Sequence, residues 1–459
     1  MKPIVLKTDN SSKQFLYIQL YETLKDEILE GEIFSGEKLP SLRSLSAELG
    51  ISLTTIGQAY DQLMVEGYIY AKPQSGYYVA NVSGASRKTA EETVDEIEEG
   101  TLMANDFIHD PSCFDFAKWK RCLSTVFNDY SDQLLFESDP QGEMALRHEI
   151  SKYIYRSRGV NASPDRIVIG AGTQQITSHL SRILQRMDIS IVSLETPGYL
   201  PVQYMFKDAG FSIVHMPVGE EGIDINRLPT NLSSAVYVSP SNQFPTGAVM
   251  PIGKRYELLN WAKDNGSVII EDDYDSELRY FGKPVPALQG LDKDNRVVYL
   301  GSFSSTLFPA IKISYMVLTK EMSEIFKEIK GGYTQTCSKA EQLTLALFME
   351  RGHYYTGIKK LRTMYAQKLE KTLESFEKYG GDMIVPKDTK SGINLTINVK
   401  SRLNTDRLVE CARKLGVQVV PIARITDQDT SALSFYYSQI PLGQIEPTIK
   451  ELTEQWRGE

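Results

Sequence analysis

The sequence predicts an α/β chain in two parts: a small N-terminal helical unit closed by a β-hairpin, and a large open sheet covered by helices that ends in a smaller α+β lobe. Three observations predict it. Residues 1–82 hold three apolar stripes at helical spacing, parted by glycines and followed by two short β segments. From Met103 onward, β-rich runs alternate with amphipathic stretches. Between these patterns lies a polar segment, 83–102, that ends in an acidic run and has the composition of a linker or, in its second half, a short solvated helix.

The chain of 459 residues has room for two or three domains, and its 41% hydrophobic and 24% charged residues are the balance of a globular protein. No apolar run approaches the roughly 20 residues of a membrane span, and the N-terminus lacks a secretory pattern. A cytoplasmic protein that does not engage a membrane is the expectation. Four scattered cysteines show no zinc spacing, and none of five histidines lies in an H-E-x-x-H pattern, so no metal site is expected. The net charge of −9 weighs only weakly against nucleic acid, because a small DNA-binding face needs only local basic groups.

In the N-terminal unit, Tyr17, Leu20, Tyr21, Leu24 and Ile28 mark a first helix ended by Gly31. Ser41 can cap a second helix with a stripe of Leu42, Leu45 and Leu49, stopped at Gly50. Ser52 caps a third that buries Ile56, Tyr60 and Leu63 and stops at Gly67. Two β segments follow, Tyr68–Lys72 and Tyr77–Ala80. Two short helices about a glycine turn, then a hairpin, make a winged helix-turn-helix. The third helix would enter the major groove, with Ser52 at its start and Thr54, Thr55 and Gln58 near base edges. Lys38, Arg43 and Lys72 are the candidate phosphate contacts, and Gly76 lets the wing tip turn tightly. Residues 1–82 carry seven bases against ten acids, net −3, so specific binding should need two copies of the unit.

In the large part, the β-rich runs 166–170, 189–194, 235–239, 267–273 and 296–301 alternate with helices. Polar groups follow successive runs: A-G-T-Q-Q, E-T-P-G-Y, P-S-N-Q-F-P-T-G, E-D-D-Y-D and G-S-F-S-S-T-L-F-P-A-I-K-I-S-Y. Polar groups at the strand ends of an open α/β sheet converge on one crevice. The smaller lobe begins near residue 380 and runs to 459.

The pieces L-Y-I-Q-L-Y, G-E-K-L-P-S-L-R-S-L-S, A-Y-D-Q-L-M-V-E-G-Y and S-G-Y-Y-V resemble the GntR family of regulators. The later pieces, with S-D-P-Q-G-E-M-A-L-R, R-S-R-G-V and T-C-S-K-A-E-Q-L-T-L, resemble a fold-type I aminotransferase domain. Together they resemble the MocR subgroup of that family over nearly the whole chain. The resemblance implies a transcriptional regulator that binds a double-stranded DNA operator, forms a head-to-tail homodimer with swapped heads, and senses a small-molecule effector. It implies pyridoxal phosphate in the crevice, with Asp272 on the pyridine nitrogen and Tyr274 and Asn242 near the ring hydroxyl. Tyr199 would stack on the ring, and Ala171, Gly172, Thr173, Ser302 and Lys312 would surround the phosphate.

The sequence also departs from the pattern. The lysine that bonds the cofactor is Ser305, in Ser304-Ser305-Thr306-Leu307, and a hydroxyl cannot form an imine. The phosphate-side arginine is Lys312, the glycine two residues on is Ser314, and an expected arginine is Pro201. Ser438 is the nearest equivalent of a carboxylate-gripping arginine, and Leu53 stands where the third helix usually carries arginine. The expectation is a pocket without catalytic residues, holding pyridoxal phosphate only non-covalently, another anionic metabolite, or nothing. Lys312 or Lys339 as a substitute anchor, a working aminotransferase with a DNA-binding appendage, and a dimeric scaffold with a dead pocket are the other readings.

Overall fold

The computed structural model describes residues 15–73, 75–80, 110–278, 286–387, 392–422 and 430–458. The chain divides into two compact units, residues 1–104 and 105–459. The expected linker, 83–102, lies outside the described residues.

In the first unit, helices span Leu16–Leu29, Leu42–Leu49 and Leu53–Val65, followed by strands β1 (Ile69–Lys72) and β2 (Gly76–Val79). Leu20, Leu24, Ile28, Leu45, Ile56, Tyr60 and Leu63 close one core. Of the expected second-helix stripe, only Leu45 is fully buried; Leu42 and Leu49 pack half-exposed at its edge because eight residues give only two turns. Ser41 Oγ accepts from the Ser44 N–H at 3.2 Å, and Gly50 ends that helix in the left-handed region at φ +67°. β1 and β2 pair antiparallel with Ile69 opposite Val79, one residue inside the expected bounds at one end of each strand.

The second unit is built on an eight-stranded sheet. Its strands are β3 (Ile167–Ala171), β4 (Ile191–Thr196), β5 (Ser212–Gly219), β6 (Gly222–Ile223), β7 (Ala235–Val238), β8 (Val268–Asp273), β9 (Val297–Ser302) and β10 (Ile313–Val317). They lie in the order β3-β10-β9-β8-β7-β4-β5-β6. The pairs from β9 through β5 are parallel, whereas β10 runs antiparallel to both β3 and β9. Fully apolar runs such as Ala235–Val238 are buried on both faces, which is what helices on both sides of a parallel sheet require. The smaller lobe holds β11 (Ile384–Lys387), β12 (Leu395–Lys400), β13 (Val419–Pro421) and β14 (Thr430–Phe435) in the antiparallel order β11-β12-β14-β13. Its own core includes Ile397, Phe435 and Trp456.

Candidate functional site

Reversal of β10 assembles the site. The parallel strands deliver their C-terminal ends to one edge of the sheet, and an antiparallel neighbour delivers its N-terminal end there too. Ile313 pairs with Ala171, which sets Lys312 beside Gly172. Gly172 is the N-cap of the helix Thr173–Arg186, and no side chain caps that terminus. Its φ of +84° with ψ of 170° lies in a region only glycine enters freely. Free N–H groups and the positive end of a 14-residue helix thus meet an ammonium group, and both favour an anion. Lys312 itself is held at φ +48°, where a side chain costs about 1 kcal/mol.

A cavity of about 260 Å³ opens at this edge. Of the predicted residues, Gly172, Thr173, Tyr199, Asp272, Tyr274, Ser302, Ser305 and Lys312 line it. Two do not. Ala171 lies outside the lining, its N–H donating to Thr336 Oγ1 at 3.0 Å, because side chains alternate along β3. Asn242 is drawn from the lining by the buried Asp275 carboxylate, to which its Nδ2 donates at 2.8 and 3.0 Å; it reaches the Tyr274 hydroxyl at 3.4 Å. Ser438 is also absent from the lining, and Tyr436, two residues earlier, is present. Lys339 donates to the carbonyls of Phe136 and Glu137 at 3.2 Å each, so its ammonium is engaged away from the cavity.

Sequence reasoning missed Ser239, Phe244, Ser304, Ile393 and Tyr436 as lining groups, and saw Ser314 only as a departure from the pattern. It also missed Tyr237, whose hydroxyl donates to Asp272. That partner follows from β7 lying beside β8, a long-range pairing that local spacing does not carry.

Asp272 and Asp273 are adjacent on β8 and point to opposite faces. Asp273 is ion-paired: Arg158 donates to both of its oxygens, from Nε at 2.7 Å and from a terminal nitrogen at 3.3 Å, and Tyr299 donates at 2.6 Å. Asp272 is therefore the carboxylate left facing the cavity. Burial pushes its carboxyl up to about 6, against the Tyr237 bond and with help from the charge of Asp273. A cation on the ligand would draw it back to the charged form.

Beneath it, burial pushes Glu195 up to about 8, although Gln243 and the Ser239 N–H donate to it. A carboxyl whose folded value is raised stabilises the fold fully below its unfolded value and loses that contribution as pH rises through the folded value. The melting temperature of the ligand-free chain is therefore expected to fall between about pH 5 and pH 8. Glu195 contributes up to about 1.4 kcal/mol per pH unit. Melting curves of Glu195→Gln across that range should show a flatter slope; an unchanged slope would refute the assignment.

The DNA-binding candidates cluster on one unit. Ser52 Oγ accepts from the Thr55 N–H at 3.1 Å and meets the Thr55 hydroxyl at 2.8 Å, so this pair is partly occupied with capping. Thr54 and Gln58 are exposed on the same helix, and Leu53 at its leading end is 48% exposed. Arg43 is exposed on the preceding helix. On the wing, Tyr70 and Tyr78 stack with centroids 6.0 Å apart. Lys72 Nζ lies 4.5 Å and Lys38 Nζ 6.0 Å from the Tyr78 ring, which holds both cations at the hairpin. Gly76, at φ +112°, leaves room for the Lys38 chain, which a Cβ there would meet at 3.3 Å. Lys38→Ala and Lys72→Ala are each expected to weaken binding alike on all DNA sequences and to lower the slope of log K against log salt by about 1. Fluorescence anisotropy titrations at several salt concentrations read this directly.

Among the described residues, no cluster of His, Cys, Asp and Glu could hold a metal ion, and no helix is long and apolar enough to cross a membrane.

Fold and site together define a winged helix-turn-helix protein joined to an aminotransferase-type domain. Residues 16–79 match the family "Bacterial regulatory proteins, gntR family", and residues 119–426 match "Aminotransferase class I and II". The chain is 36% identical to an uncharacterized HTH-type transcriptional regulator, YdeL, of Bacillus subtilis (strain 168), over 96% of this chain and 97% of the relative. It is 29% identical to the probable rhizopine catabolism regulatory protein MocR of Rhizobium meliloti, over 92% and 89%. Among solved structures, a Pyrococcus horikoshii kynurenine aminotransferase superposes with a TM-score of 0.65 at 24% identity, covering 82% of this chain and 96% of that one. The chain belongs to the MocR subgroup of GntR-family transcriptional regulators, and its large unit has the fold-type I aminotransferase fold.

Proposed function

We propose that this regulator binds operator DNA through its N-terminal unit and senses a phosphorylated heteroaromatic ligand, of pyridoxal phosphate chemistry, held without a covalent bond in the large unit. The single observation that carries this is the cavity's donor set. An uncapped helix terminus, Lys312 and the Thr173 and Ser302 hydroxyls suit a phosphate, Asp272 suits a ring nitrogen, Tyr199 and Phe244 suit a ring, and Ser305 supplies no amine. Bound pyridoxal phosphate would bring an electron-withdrawing ring and an aldehyde. The chain's own residues position the ring and neutralise its charges, but none is placed to carry a proton at the reacting carbon as a lysine would. Lys312 is the one amine lining the cavity among the described residues. It serves the phosphate end, so amino-group transfer is absent from this reading.

The second unit also serves as the dimerisation element. Phe116, Phe127, Leu135, Phe136 and Met144 are all large, apolar and exposed within one stretch of chain, which suits a subunit interface. A head-to-tail pair would present two acidic heads to two half-sites. The place of action is the cytoplasm, where the chromosome lies. Gel shifts with the DNA upstream of the protein's own gene test the reading: preference over random DNA at moderate salt is expected, and equal binding would refute it.

A further inference from the structure

Lys368 lies on the helix His353–Ser375 and is wholly buried, which is expensive for an ammonium unless it is paired. Among the described residues it has two polar partners. Its Nζ forms an ion pair with Asp110 Oδ2 at 2.8 Å and donates to the Ser438 carbonyl at 2.6 Å. These partners come from different places. Asp110 is the first described residue after the segment that joins the two units. Its other oxygen accepts from the Ser112 N–H at 2.9 Å and hydroxyl at 2.6 Å, which starts the short turn Pro111–Cys113. Burial would raise the Asp110 carboxyl, yet Lys368 and Ser112 hold it below the usual range.

Ser438 is outside the cavity lining but bonded to it. Its N–H donates to the Ile393 carbonyl at 3.4 Å, and the Tyr437 hydroxyl donates to the Gly392 carbonyl at 2.7 Å. Ile393 and Tyr436 both line the ligand cavity. A continuous set of polar contacts therefore runs from the lining, through Ser438 and Lys368, to Asp110, the first described residue of the large unit.

We propose that Lys368 is a positioning residue that transmits ligand occupancy to the chain leading to the DNA-binding unit. The proposal rests on the sensing reading above. A ligand that shifts Ile393 or Tyr436 shifts the Ser438 carbonyl. The fully buried ammonium cannot be left half-paired without a large penalty, so it follows, and Asp110 follows it. Close packing makes such a move discrete rather than graded.

The test uses the full chain, its own upstream DNA and pyridoxal 5′-phosphate as the probe. Asp110→Leu with Lys368→Met replaces the ion pair by apolar groups of similar volume, a change that often preserves a fold. Asp110→Asn is the milder second variant, which keeps volume and the Ser112 contacts but removes the charge. In the wild type, the probe should change DNA affinity about fivefold or more. In the double variant, probe affinity should stay within about twofold of wild type while the ratio of DNA affinities with and without probe falls to about 1. Asp110→Asn should at least halve the logarithm of that ratio. A wild-type ratio retained in either folded variant overturns the relay alone. A wild-type chain whose DNA affinity ignores the probe overturns the sensing reading and the relay together.

Discussion

Lys312→Ala is expected to lower the affinity for pyridoxal 5′-phosphate by about 10- to 100-fold, because a hydrogen bond to a charged group contributes about 1.5–3 kcal/mol. The loss should not be rescued by the helix terminus alone, since the dipole contributes only about 0.3–1 kcal/mol near a surface. The register of β10 against β3 is what makes the two act on one anion. Calorimetric titration distinguishes the cases. A large loss with an unchanged melting temperature supports a ligand contact, and an affinity equal to wild type would show that the anion sits elsewhere. Lys312→Arg should retain most of the affinity, because the fork also serves phosphate.

The second large effect is a gain. Ser305→Lys places a primary amine in the cavity that already holds Asp272, Tyr199 and Tyr274. After incubation with pyridoxal 5′-phosphate and borohydride, the variant is expected to carry about one cofactor per chain at position 305, and the wild type none at that position. Peptide mass spectrometry reads both. Labelling of Lys312 in the wild type would contradict the assignment of that lysine to the phosphate end. Transamination is not expected to return with the amine. Pro201 and Ser438 give no planar cation for a substrate carboxylate, and Tyr436 takes a place on the cavity wall.

These expectations draw on features of unequal visibility in the sequence. The winged unit was legible almost to the residue, because helix spacing, serine caps and glycine stops are local and each falls within one turn. The alternation of strands and helices was equally plain, and with it the convergence of strand ends on a crevice. Strand order was not. Lys312 meets Gly172 only because β10 reverses direction, and Tyr237 reaches Asp272 only because β7 neighbours β8. The two-residue offset between Ser438 and Tyr436 has the same origin. The run S-F-Y-Y-S-Q marks the place, but only the turn after β14 decides which residue faces the cavity. Arg158 shows the opposite case. R-S-R-G-V stood out as a motif, and the structure gives Arg158 a role in pairing with Asp273, which leaves Asp272 as the carboxylate lining the cavity among the described residues.

With Ser305 in the cavity, the proposed ligand has no amine at that position to bond. On the proposed reading, a phosphate held by Lys312 and a helix end, with no bond to the chain, exchanges with its free pool. DNA affinity would then follow ligand concentration through ordinary linkage. The most direct measurement is the affinity of the full chain for its own upstream DNA, taken without pyridoxal 5′-phosphate, with it, and again after dialysis. A change on addition that reverses fully on dialysis is expected. A change that survives dialysis, or no change at all, would contradict it.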